Sequence, residues 1–139
     1  MGQLTIGQLA HQSGVGVETI KFYQRRGLVE QPPRPASGFR KYPPEAVRQV
    51  RFIRRAKELG FSLQEIGELL DLRMTAGIGC GAIRERAEAK LADIRQKRRD
   101  LERMEAVLKQ LTASCRGQGP LNDCPILGAL DDEETNRHE

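Results

Sequence analysis

After Gly81, residues 82 to about 113 carry neither proline nor glycine. The stretch is dense in Ala, Leu, Glu, Lys and Arg, all strong helix formers. A helix of that length is about 50 Å long and overhangs any domain the rest of the chain can build. Ala87, Ile94, Leu101 and Leu108 recur every seven residues, with Met104 and Leu111 at a second heptad position. Lys90 and Lys97 hold that second position in the earlier turns, so the apolar seam is imperfect. The helix either folds back on its own domain or pairs with a second copy, and its overhang favours the pair. Composition points the same way. A chain of 139 residues with 38% hydrophobic and 4% aromatic side chains makes a thin core by itself.

Extended in both directions, the seven-residue step lands on Cys80 and Cys115. These thiols are separated by five heptads on one stripe. Within one helix they stand roughly 50 Å apart and cannot share an ion. In an antiparallel pair centred between Lys97 and Arg98, Cys80 of one chain comes level with Cys115 of the other. A site made that way exists twice per dimer. Cys124 follows across Arg116-Gly117-Gln118-Gly119-Pro120, a loop able to fold a third thiol over the helix end. Pro125-Ile126-Leu127 and Leu130 suggest a short apolar helix closing the site. Spacing alone leaves a second reading, in which the three cysteines act as small apolar residues.

There is no run of about 18 apolar residues, so no membrane contact is expected. The start of the chain lacks a basic stretch followed by an apolar one. The expected location is the cytoplasm, where cysteines persist as thiols or metal ligands.

The net charge of +4 is unevenly spread. Lys21 to Lys57 holds eleven Lys and Arg against Glu30 and Glu45, a balance of +9. Such a block suits double-stranded DNA if it coincides with a docking geometry. Thr5 and Gln8 form a capping box that opens a first helix, and Ser13-Gly14-Val15 breaks it. A second helix runs from Val17 to about Arg25 and stops at Gly27. Together they make a helix-turn-helix over about 6–25. Val17, Ile20 and also Tyr23 can pack inward. Glu18, Thr19, Lys21, Phe22, Tyr23 and Arg25 are the candidate DNA contacts of the second helix. Pro32, Pro33, Pro35 and Gly38 then favour a turn between Leu28-Val29-Glu30 and Gly38-Phe39-Arg40-Lys41-Tyr42, expected to pair as a small hairpin wing over about 28–42. Its candidate contacts are Arg34, Arg40, Lys41 and Tyr42. A third helix opens at Pro43 or Pro44 and buries Val47, Val50 and Ile53. A second capping box, Ser62 with Glu65, opens a fourth that buries Ile66, Leu69 and Leu70.

Thr5-Ile6-Gly7-Gln8-Leu9-Ala10, the run Glu18 to Leu28, Gly38-Phe39-Arg40-Lys41-Tyr42, and Leu59 to Ile66 resemble, in order, the MerR family of winged-helix bacterial regulators. Lys21 stands where the family usually has Arg, which implies a weaker or repositioned contact. The resemblance implies a homodimer that binds a promoter dyad and, once induced, distorts the DNA for RNA polymerase. Ala87-Glu88-Ala89-Lys90-Leu91, Leu101 to Leu108 and Cys124-Pro125 look like the mercury-responsive branch of that family. This implies Hg(II) as inducer, bound by Cys80 of one chain with Cys115 and Cys124 of the other.

The donor set agrees with that implication. Structural zinc normally takes four ligands, whereas only three thiols are present, and His11 and His138 lie elsewhere in the sequence. Three thiolates make a soft, low-coordination site suited to a thiophilic cation. Pb(II), Cd(II) and arsenite remain alternative inducers, and a thiolate buffer or chaperone is the other function class. No nucleophile–base set suggests an enzyme. The expected architecture is mainly α. A winged helix-turn-helix DNA-binding domain spans 1–73 and a linker 74–80. An antiparallel dimerisation helix covers 81–114, a metal-binding loop and short helix 115–130, and a disordered acidic tail 131–139.

Overall fold

Both capping boxes form as the sequence implies. In the structure, a computed structural model describing residues 2–132, the Thr5 hydroxyl accepts from the Gln8 N–H while the Gln8 side chain accepts from the Thr5 N–H. This starts helix α1 (Ile6–Ser13). Gly14 ends it at φ 73°, a left-handed conformation open to glycine. Helix α2 (Val17–Arg25) follows and closes through Gly27, also at positive φ, with the Leu28 N–H returning to the Tyr23 carbonyl. Helix α3 (Glu45–Glu58) begins behind Pro44, and α4 (Leu63–Met74) begins at the reciprocal Ser62–Glu65 cap.

The chain divides into two compact units, residues 1–90 and 91–139. In the first, α1 packs on α2 and α3, and α3 packs on α4. Leu9, Ile20, Val50, Ile53 and Ile66 are fully buried at the centre, with Tyr23, Leu28, Val29 and Tyr42 closing the sides. Leu70 is only partly buried against this core.

The expected hairpin does not form. Among the described residues there are no strands, only one isolated antiparallel bridge, and it joins Tyr42 to Leu4 rather than to the 28–30 segment. The reason is chemical. Pro32, Pro33 and Pro35 have no N–H to donate to a ladder, and Leu28 and Val29 are drawn into the core. The wing is instead a loop, held by the Arg40 Nε–H donating to the Pro32 carbonyl at 2.9 Å.

Helix α5 (Cys80–Ser114) is the long helix. It begins at Cys80, so the linker between α4 and α5 is 75–79, shorter at both ends than the expected 74–80. In the second unit a 3₁₀ turn, Leu121–Asp123, packs on helix α6 (Pro125–Leu130). From residue 133 onward the expected disordered tail lies outside the described residues.

Candidate functional site

Helix α2 presents an exposed polar and cationic face because its buried positions are taken by Ile20 and Tyr23. Glu18, Lys21, Phe22 and Arg25 are exposed and Thr19 is half-buried. Lys21 touches Glu18 at 3.6 Å in an exposed i,i+3 pair, worth little in water. A phosphate can therefore displace Glu18 at small cost. Arg25 and Arg26 both stand over the Phe22 ring, at 5.9 and 6.0 Å from its centroid. Between α2 and the wing lies a cleft whose lining includes Lys21, Arg25, Arg34, Phe39 and Arg40. Four cations thus share one concave surface at the width of a helix and a loop. Arg34 and Lys41 are exposed, and Arg40 is half-buried by its bond to Pro32.

Two expected contacts are corrected. Tyr23 is 5% exposed and Tyr42 2% exposed, so their rings belong to the core rather than to a DNA-facing surface. Burial raises the Tyr23 phenol above its ordinary value. The Tyr42 hydroxyl accepts from the Gln24 side-chain amide, pinning the wing to α2. Sequence reasoning also passed over Arg26 and the wing-tip Phe39, which is 79% exposed. The signal available in the sequence was an aromatic between Gly38 and Arg40 in a proline-rich turn.

The thiols fall in both units. Cys80, exposed, opens α5 in the first. In the second, Cys115 and Cys124 line one hollow with Gly117, Gly119 and Pro120, and both are half-buried. Cys115 Sγ accepts the Gly117 N–H at 3.4 Å. Cys124 stands at the N-cap of α6, where the N–H groups of Leu127 and then Ile126 hold its thiol below the usual value, with Cys115 adding to the effect and burial opposing it. Among the described residues, no three His, Cys, Asp or Glu side chains of one chain gather to hold a metal. The loop brings two thiols, Cys115 and Cys124, into one hollow.

Residues 4–73 match the family described as MerR HTH family regulatory protein, and residues 47–111 the family described as MerR, DNA binding. The chain belongs to the MerR family. Among MerR-type relatives it is 45% identical to a mercuric resistance operon regulatory protein of Serratia marcescens, over 96% of this chain and 92% of that one. A protein of the same description from Bacillus cereus is 38% identical, over 90% and 95%. Among solved MerR-family structures, the regulator PbrR691 of Ralstonia metallidurans CH34 in complex with lead(II) is 33% identical, with a TM-score of 0.81 over 91% of this chain and 98% of that one. MerR of Bacillus megaterium MB1 in complex with mercury(II) is 34% identical, with a TM-score of 0.70 over 93% and 100%.

In this MerR-family chain the expected dimer stripe is largely bare. Leu101, Met104 and Leu108 are about 60% exposed, Ile94 is 44% exposed, Ala87 is exposed and Leu111 half-buried. An apolar row this long is unusual on a helix facing only water.

Proposed function

We propose that this protein is a metal-sensing transcriptional regulator of mercury resistance. It acts as a homodimer on a promoter dyad and carries no enzymatic activity. Hg(II) is the inducer, and RNA polymerase in the cytoplasm is the machinery it serves. The observation that carries this reading is the pairing of Cys115 with Cys124 in one hollow, on a chain whose other half presents a cationic helix–wing cleft. The third ligand is Cys80 of the second chain, brought level by the heptad register. Hg(II) supplies a thiophilic centre that draws three sulfurs together. The protein does the rest. Gly117 and Gly119 let the loop close, α6 orients Cys124, and Cys80 sits on the helix that leads into the DNA-binding unit.

Likeness to a lead(II) complex supports Pb(II) as a second inducer.

The test mixes Cys80→Ala protein with Cys115→Ala protein and titrates mercuric ion. Heterodimers should regain one tight site, while either homodimer lacks it. Tight three-sulfur binding by one homodimeric variant alone overturns the shared site.

A further inference from the structure

Helix α5 has one buried residue in 35, and it is a lysine. The Lys90 side chain is 10% exposed. Its stem passes Gly60, where an added Cβ would lie 3.9 Å from Lys90 Cδ. Its ammonium stands 5.7 Å from the Phe61 ring centroid and pairs with Glu65 Oε1 at 2.9 Å. That same Oε1 accepts the Ser62 N–H at 2.7 Å, so Lys90 is tied to the atom that closes the N-terminal cap of α4. One turn earlier on α5, Arg86 pairs with Glu68, one turn further along α4. Cys80 opens the same helix ten residues before Lys90, roughly 15 Å of helical rise.

The heptad pattern wants an apolar side chain at residue 90, and a well-packed apolar contact would hold the helices at least as firmly as a buried ion pair. The charge adds geometry. Apolar faces slide over one another, whereas an ammonium bonded to a carboxylate that is itself bonded to a backbone N–H permits one register. We infer that Lys90 is a positioning residue of the metal response. It locks α5 to the cap of α4, so that a displacement imposed at Cys80 moves the DNA-binding unit instead of being lost in slippage. This rests on the function proposed above.

Two variants test it in the full-length dimer on operator DNA. Lys90→Met keeps an unbranched stem against Phe61 and removes the charge. Glu65→Gln keeps the capping-box acceptor and removes the partner charge. Both should bind operator within about threefold of wild type yet lose at least about tenfold of the metal-dependent change in footprint and transcript. In the metal-free Lys90→Met protein, amide exchange at 62–66 should quicken severalfold. Wild-type metal response in both variants overturns the inference. So does a parallel loss of operator binding and metal response that merely tracks lost thermal stability. A wild-type protein whose footprint ignores mercuric ion overturns the functional reading itself, and is detected before any variant is compared.

Discussion

The Glu65 carboxylate accepts from the Ser62 N–H and from Lys90, and these two bonds, the backbone one first, hold its pKa at about 2, against an ordinary value of 4.5. Because the folded value is depressed, the ionised carboxylate stabilises the fold at pH above 4.5, and that contribution fades as pH falls toward 2. The Glu65 side chain is 41% exposed, so solvent screens part of the effect. Wild-type thermal stability should fall over this acid window more steeply than that of Glu65→Gln, and parallel melting curves would deny the carboxylate this role. At neutral pH, Ser62→Ala removes the hydroxyl that caps α4 and should cost about 1 kcal/mol, read by urea denaturation. Residue-scale features of this kind were legible in the sequence. Thr5 with Gln8, and Ser62 with Glu65, need only neighbours three positions apart. The burial of Tyr42 and Lys90 was not legible, because the groups that cover them come from distant segments.

At the scale of elements, α5 carries an apolar row that its own chain leaves exposed, and α2 carries a cationic face beside the wing. Leu101→Asp puts a charge in the middle of that row, where Leu101 is 63% exposed. It should shift the protein toward monomer in sedimentation at micromolar concentration, and an unchanged dimer would reject α5 as the pairing element. On the DNA side, if the proposed phosphate contact of Arg40 holds, Arg40→Ala should weaken binding to operator and to random duplex alike, through that contact and through its bond to the Pro32 carbonyl in the loop. In the proposed function, Thr19 and Lys21 lie on the helix offered to the groove. Substituting either should change the preference among operator variants, measured in competition titrations. The wing is where element-level reading failed. Period and turn residues suggested two pairing strands, but three prolines without N–H groups left the segment to be held by a side chain and by Leu4.

For the whole molecule, the +9 block between Lys21 and Lys57 implies steep loss of DNA affinity with salt, through release of counterions. Flat salt dependence would count against DNA as the partner. A ligand shifts an equilibrium between two forms only by its differential affinity for them. In the proposed function, three sulfurs drawn together across two chains would supply such a difference, while distortion of bound DNA costs a few kcal/mol. Cys124→Ser should therefore still occupy the operator but lose induction, followed by footprinting and transcription in parallel. Release of the wild-type protein from its operator by mercuric ion would show simple derepression instead.

The sequence by itself determined the helices, their caps, the seven-residue stripe and the spacing of the cysteines, because each depends on side chains a few positions apart along the backbone. Gly14 and Gly27 mark turns by their own conformational freedom, and the run from Ala82 to Ser114 makes a helix by propensity. Only packing in three dimensions fixes how the wing is held, and that Cys115 and Cys124 meet across their loop. It also decides that, of the two lysines breaking the heptad pattern, Lys90 is buried and Lys97 is exposed. Packing sets these outcomes, since burial and ion pairing depend on what lies opposite in space, and no local pattern records that.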